Sequence, residues 1–312
     1  MSGICLVLGG NGFLGHYVTQ ELIRNHKNVR CIVRRNPRDE DIIQGVEYIV
    51  GDAFDSDFLR ENFKDVELIY NFISTSLPNS GEKSLEKEID ITLRTLDDLL
   101  SLMVQSGVRN IVYPSSGGAI YGDQSGRTVS EETLLSPTTP YGIGKQLSED
   151  VLNYYSRKHQ LNAIVFRIGN VYGSRQLRDK PQGVVDVFIQ SALKNEPIKI
   201  WGDASKSIRD YVYLEDAASA IVQTTELGLT GYHVFNVGTG KGTSVQQLIQ
   251  IIEERLNRKL EIDYIPQKTS GVNGIVLDCG KIKELTGWEY KVEIDMGIEL
   301  TIQSKKKILG IQ

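Results

Sequence analysis

Through the first half of the chain, apolar runs with strand character alternate with amphipathic stretches of helical periodicity. Ile4–Leu8, Val29–Val33, Glu47–Val50, Leu68–Phe72, Asn110–Tyr113 and Ala163–Arg167 read as strands. Between them, Phe13–Asn25, Ser84–Ser106 and Gly144–His159 carry apolar residues at the spacing that gives a helix one buried face. Such alternation predicts right-handed crossovers and a parallel, doubly wound α/β sheet that binds ligands at the carboxyl ends of its strands. From about Asn170 the rhythm changes, and loops rich in Gly, Pro, Arg and Asp (173–183, 202–209 and 268–274) separate shorter elements. This predicts one domain over residues 1–169. Residues 170–312 are then mainly a smaller α/β domain that closes over a substrate, with some segments returning to the first.

A length of 312 residues, 40% of them hydrophobic, is enough for a full core. The net charge of -5 offers no overall attraction to nucleic acid or to acidic membranes, and Lys305-Lys306-Lys307 reads as a solvated helix end. Cys5, Cys31 and Cys279 are odd in number and set in apolar stretches, as expected of reduced core thiols in a cytoplasmic protein. No apolar segment approaches the roughly 20 residues that span a bilayer, and the first strand follows no basic leader. His16, His26, His159 and His233 lack metal-ligand spacing, so no metal site is expected.

The first strand is followed by Gly9-Gly10-Asn11-Gly12-Phe13-Leu14-Gly15, which opens a helix. Glycines in such a place permit a tight turn, let backbone N–H groups approach a pyrophosphate, and allow close packing of helix on strand. The helix N-terminus adds its preference for negative charge. The pattern points to a dinucleotide. Asp52 and Ala53 follow the third strand on the adenine side, and Phe72, Ile73 and Ser74 end the fourth over the same crevice. An acidic residue about 20 positions past the glycines would bond the ribose 2′-hydroxyl of NAD. Instead the second strand ends Ile32-Val33-Arg34-Arg35, and two guanidinium groups suit a 2′-phosphate. NADP, as NADPH, is therefore favoured over NAD.

Tyr141 and Lys145 stand four residues apart, hence on one face of a helix. Hydride transfer between a nicotinamide and a carbinol carbon needs a matching proton transfer, and a phenol that ordinarily titrates near about pH 10 needs help to act as a base near neutrality. Lys145 favours the phenolate and can bind the cofactor ribose. Shortly before this pair, Ser115-Ser116-Gly117-Gly118-Ala119-Ile120-Tyr121-Gly122 ends a strand.

These motifs are joined by Arg167-Ile168-Gly169-Asn170-Val171-Tyr172-Gly173, Trp201-Gly202-Asp203, Arg209-Asp210-Tyr211-Val212-Tyr213 and Asn236-Val237-Gly238-Thr239-Gly240. Over nearly its whole length the chain thus resembles the extended short-chain dehydrogenase/reductases, specifically the nucleotide-sugar epimerases, dehydratases and 4-keto reductases. The resemblance implies a Rossmann-type dinucleotide-binding domain and a nucleotide-sugar substrate. It implies Tyr141 as acid/base, Lys145 as its electrostatic partner, and a serine of Ser115-Ser116 against the sugar C4 oxygen. Asn170 and Arg209 would grip the diphosphate and Trp201 would pack on the base, with Tyr211 and Lys268 also at the substrate. A homodimer through the helices at 84–106 and 144–159 is implied as well.

The chain departs from the family pattern in several places. Gly117 stands where the family has its catalytic Ser or Thr, so the hydroxyl comes from Ser116 or Ser115 or is missing. Val33 and Arg34 replace the acidic end of the second strand, Lys268 and Gly271 replace an Arg and an Asp, and Ile91 or Asp90 replaces an Asn. Gly118 and Ala119 stand where 4,6-dehydratases carry an acidic pair, which disfavours that reaction. A 4-epimerase returns the hydride it removes and retains NAD, whereas a reductase consumes a dissociable cofactor. The arginines therefore favour an NAD(P)H-dependent reductase of the dTDP-4-dehydro-6-deoxyglucose type, serving surface-polysaccharide sugar synthesis. The alternative is a UDP-hexose 4-epimerase with tightly bound NAD. A non-catalytic NADP-sensing regulator is a third possibility, opposed by the presence of both Tyr141 and Lys145.

Overall fold

In the computed structural model the described residues are 3–74, 84–173, 183–266 and 274–311. Strand β1 (Ile4–Leu8) is buried along nearly its whole length, as expected of a central parallel strand covered on both faces. The glycine loop leads from it into α1 (Phe13–Arg24), followed by β2 (Asn28–Val33), β3 (Val46–Val50), α2 (Ser56–Glu61) and β4 (Val66–Asn71). Helix α3 (Leu85–Ser106) is capped by the Ser84 hydroxyl, which accepts from the Lys87 N–H, and stops at Gly107, whose φ of 74° few other residues adopt. Then come β5 (Asn110–Ser116), the short α4 (Gly117–Ile120), β6 (Thr128–Val129), α5 (Pro140–His159) and β7 (Asn162–Ile168). The second half contributes β8 (Asn170–Tyr172), α6 (Val184–Lys194), β9 (Ile198–Trp201), β10 (Ile208–Tyr213), α7 (Leu214–Thr225) and β11 (Tyr232–Val237). It ends with β12 (Gly242–Ser244), α8 (Val245–Leu256), β13 (Ile262–Ile265), β14 (Gly274–Leu277), α9 (Gly280–Thr286) and α10 (Ile294–Leu309).

Seven strands form one parallel sheet in the order β11-β7-β5-β4-β1-β2-β3. The chain winds outward from β1 to β3 and then builds the other side from β4, so the crevice at the carboxyl ends of β1 and β4 is the topological switch point of a Rossmann-type sheet. All six expected strands lie in it. The seventh, β11, comes from the second half and pairs with β7 from Tyr232↔Ala163 to Val237↔Ile168. Apolar side chains of α1, α7 and α9 cover one face of the sheet, and those of α2, α3 and α5 cover the other. A further core forms among α6, α8, α10 and the strands β9 and β10. No helix among the described residues is long and apolar enough to cross a membrane.

Two boundaries move residues that matter. Pairing with β7 continues to Ser116↔Ile168, so Ser115 and Ser116 are strand residues and not part of a turn. Helix α5 begins at Pro140, four residues before the expected start. The Thr139 side chain accepts from the Gly142 N–H and Pro140 suits a first helical turn, which brings Tyr141 inside the helix.

Two surface expectations also change. Lys305 is not solvated: it shares the inward face of α10 with Ile298, Thr301 and Ile302, and its Nζ lies 2.7 Å from the buried carboxylate of Asp186 on α6. A buried ammonium needs such a counter-charge. Cys5 and Cys31 are buried free thiols, but Cys279 is only half-buried.

Candidate active site

At the switch point the loop and helix are in the closest contact their backbones allow. Gly9 has a φ of 82°, and a Cβ on Gly15 would lie 2.4 Å from its carbonyl oxygen. A Cβ on Gly10 would lie 2.5 Å from Cys31 Sγ, against the adjacent strand. Gly12 caps α1 without a side-chain hydrogen bond and the first turn has no acidic residue, so its N–H groups face outward as an anion cradle. The Asn11 Nδ2 donates to the Arg35 carbonyl at 3.2 Å, while its Oδ1 is buried with no partner. Phe13 and Leu14 pack against the core and anchor the helix start. These features fit the pyrophosphate of a dinucleotide.

Beyond the loop, Arg34 and Arg35 are exposed at the end of β2. Asp52 Oδ1 accepts from the Phe54 N–H at 3.0 Å, shaping the turn after β3. Ala53, Ile73 and Ser74 line a cleft together with Asn71, Glu88, Thr92, Tyr113, Tyr141 and Lys145. Asp52 and Phe72 lie beside this lining. The Phe72 ring stacks on Tyr70, with 6.4 Å between centres.

Tyr141 and Lys145 come together as their spacing requires. The Lys145 Nζ donates to the Pro114 carbonyl at 2.9 Å and to the Tyr113 hydroxyl at 3.3 Å, and lies 5.8 Å from the centre of the Tyr141 ring. Burial opposes its charge, but the phenolic groups of Tyr113 and Tyr141, the hydrogen bond to Tyr113 and the Glu149 carboxylate outweigh it and hold the ammonium above the usual lysine range. Lys145 is therefore a cation at neutral pH, beside the phenol that would move the proton.

The serines separate by strand alternation. Ser115 projects on the same side of β5 as Tyr113, toward α3 and α5, and its Oγ is buried without a partner. Ser116 projects to the opposite side as the half-buried N-cap of α4. A Cβ on Gly117 would lie 2.6 Å from Leu277 Cδ1, so the family's hydroxyl has no room there unless Leu277 moves. A Cβ on Gly118 would lie 3.0 Å from Asn170 Oδ1, and one on Gly142 2.7 Å from the Ala119 carbonyl. This segment therefore touches both Asn170 and the start of α5.

Arg209 lies on β10, which pairs with the β8 strand carrying Asn170, and its Nη1 donates to the Ile208 carbonyl at 2.8 Å. Trp201, at the end of β9, is 62% exposed. Tyr211 is buried edge-on to Tyr172 with its hydroxyl unpartnered. Lys268 is outside the described residues. Sequence reasoning missed Tyr113, Glu88 and Thr92. The last two interrupt the apolar stripe of α3 four residues apart, facing Gly144, and a polar pair on a buried stripe was the available signal.

A Rossmann-type sheet with a Tyr–Lys pair over its switch-point crevice defines a nicotinamide-dependent enzyme of the oxidoreductase and epimerase type. The chain belongs to the NAD dependent epimerase/dehydratase family, whose model matches residues 5–238. It is 32% identical over 304 residues to a putative UDP-glucose 4-epimerase of Methanocaldococcus jannaschii, covering 96% of this chain and 98% of the relative. It is 28% identical over 310 residues to a dTDP-4-dehydro-6-deoxyglucose reductase of Escherichia coli, covering 96% of each. The crystal structure of a UDP-glucose 4-epimerase from Thermotoga maritima with UDP-glucose matches at a TM-score of 0.86 and 30% identity, over 98% of this chain and 99% of that one.

Proposed function

We propose that the protein is an NAD(P)H-dependent reductase of a nucleotide-activated 4-keto-6-deoxy sugar, of the dTDP-4-dehydro-6-deoxyglucose type. The end of β2 carries this reading: exposed Arg34 and Arg35 stand where a carboxylate would retain NAD by its ribose. A consumed cofactor must leave after each turnover, and a 2′-phosphate met by surface arginines suits exchange of NADPH.

A nicotinamide in the crevice would supply the hydride for the sugar C4. Tyr141 gives its phenolic proton to the C4 oxygen as that oxygen becomes a hydroxyl, the Lys145 ammonium supports the phenolate left behind, and solvent returns the proton. Ser115 or Ser116 adds a hydrogen bond to the same oxygen. Asn170, Arg209 and Lys268 hold the diphosphate, Trp201 packs on the base, and Tyr211 supports them from the core behind. Gly118 and Ala119 supply neither carboxylate of the acidic pair a dehydratase needs. Exposed Leu85 and Ile91 on α3 and Tyr154 on α5 support a homodimer through those helices.

A UDP-hexose 4-epimerase is the second reading, favoured by the names of the Methanocaldococcus and Thermotoga relatives. The two part on one experiment. Given dTDP-4-keto-6-deoxyglucose and excess NADPH, a reductase consumes one cofactor per sugar and cofactor absorbance falls. Interconversion of UDP-glucose and its C4 epimer without added cofactor, with the keto sugar untouched, would overturn the reductase reading.

The cofactor preference has its own test. Charge-assisted contacts contribute about 1.5–3 kcal/mol each, so losing two in Arg34→Ala/Arg35→Ala should weaken NADPH by about 100-fold or more. NADH affinity should stay within about threefold, since NADH has no 2′-phosphate to lose contacts from. Equal losses for both cofactors in fluorescence titrations would remove the preference for NADPH.

A further inference from the structure

Helix α5 carries three ionisable groups on one stripe, four residues apart: Tyr141, Lys145 and Glu149. Glu149 is 3% exposed and meets Arg167 of β7, itself 6% exposed, through a forked contact. Arg167 Nη2 donates to Oε2 at 2.7 Å, and its Nε lies 3.1 Å and 3.2 Å from Oε2 and Oε1. Arg167 Nη1 donates to the Tyr121 hydroxyl at 3.0 Å and to the Glu131 carbonyl at 3.1 Å. Tyr121 in turn donates to Asn236 Oδ1 at 2.7 Å. Asn236 Nδ2 donates to the Val129 and Asp278 carbonyls at 3.0 Å and 3.1 Å, and its backbone N–H donates to the Glu131 carboxylate at 2.7 Å.

Stability alone does not account for this arrangement. A buried ion pair is often no more stabilising than well-packed apolar side chains of the same volume. What this one adds is a second tie, beside that of Lys145 to Tyr113 and Pro114, between the pieces that carry the reacting groups. Tyr121 closes the segment that begins at Ser115 and Ser116, Glu131 lies in the stretch leading to Tyr141, and Glu149 is two turns along the helix from the phenol. None of Tyr121, Glu131, Glu149, Arg167 and Asn236 lines the cleft.

We propose that Glu149, Arg167 and Tyr121 are positioning residues: they fix the roll and height of α5 against the serine-bearing end of β5, so that phenol and serine hydroxyl meet the same C4 oxygen. The inference rests on Tyr141 and Lys145 being the acid–base pair and holds equally for reduction or epimerisation. Misplacement of reacting groups by about 1 Å can lower a rate by about 100-fold without changing what binds. Glu149 also faces Lys145 across one turn and helps keep it charged.

The test is steady-state kinetics and a pH–rate profile for Tyr121→Phe and Glu149→Gln beside wild type and Tyr141→Phe. The substrate is dTDP-4-keto-6-deoxyglucose with NADPH, or UDP-glucose if only that is turned over. Tyr121→Phe should lower kcat by about tenfold and Glu149→Gln by about 100-fold, with KM and NADPH affinity within about threefold. The Glu149→Gln profile should also shift along its titrating limb. Should Glu149→Gln, which strands a buried guanidinium, fail to fold, Tyr121→Phe decides alone, because it removes one oxygen and no charge. A folded Tyr121→Phe enzyme with wild-type kcat and pH profile would overturn the proposal and leave the network a structural one. Full activity in Tyr141→Phe would remove the acid–base reading itself, and the inference with it.

Discussion

Replacing Tyr141 by phenylalanine should lower kcat by about 10²–10⁴-fold, the usual contribution of a general acid–base group, while NADPH affinity and thermal stability stay near wild type. The expectation follows from the site's geometry. Tyr141 sits in the first turn of α5, half-buried, so its ring can keep its packing without the hydroxyl. Its neighbour Lys145 is held by Tyr113 and Pro114, not by Tyr141, so the ammonium stays in place when the phenol is removed. The loss should therefore fall on the proton-transfer step. Turnover measurements beside NADPH titrations check it, and a variant keeping more than about a tenth of the wild-type rate would rule Tyr141 out as the essential acid–base group.

Substituting Gly15 by alanine should weaken cofactor binding by about 100-fold. In an ordinary helix interior alanine is favoured over glycine by about 1 kcal/mol, so the sign of the effect is itself informative. Here the new Cβ would lie 2.4 Å from the Gly9 carbonyl oxygen and 3.1 Å from its carbon, both backbone atoms that cannot swing aside. Relief requires the helix to move off the loop, and overpacking of this kind costs about 1–3 kcal/mol of stability. The same movement draws the first-turn N–H groups away from the pyrophosphate. Each lost charge-assisted hydrogen bond weakens binding by about tenfold or more, so two would give about 100-fold. NADPH titration and a thermal melt on one preparation check both effects. A variant that melts at or above the wild-type temperature and binds NADPH normally would contradict the close-packing account.

The features legible in the sequence share one property: their signal is local. Apolar runs marked the six strands from Ile4–Leu8 to Asn162–Ile168. The central β1, β5 and β7 gave this signal because a strand covered on both faces is mostly apolar, and the more exposed β3 at the sheet edge because it still carries a short β-branched run. The glycine loop announced itself because strand, turn and helix follow within a dozen residues. The separation of Tyr141 and Lys145 is set by helix geometry alone, wherever the helix lies. What stayed hidden depended on residues distant in sequence. Ser115 and Ser116 could not be told apart until pairing with β7 showed which side of β5 each occupies. Lys305 read as solvated because three consecutive lysines look like a surface, yet Asp186 lies more than a hundred residues earlier. Tyr113 entered the site because β5 packs beside α5, which no spacing reveals, whereas Glu88 left only the trace of a polar residue on the buried stripe of α3.

The sequence by itself thus determined six strands of the main sheet and the helices α1, α3 and α5 between them, the glycine loop after β1, and the spacing of Tyr141 and Lys145. Each of these follows from backbone geometry and side-chain periodicity within a few turns of chain. Only the tertiary structure decided that β11 returns to the first sheet, that Leu277 occupies the space beside Gly117, and that Glu149, Arg167, Tyr121 and Asn236 form one buried network. A buried polar group must find its partner wherever the packed chain puts one, and that choice is made by desolvation across the whole fold, beyond the reach of local pattern.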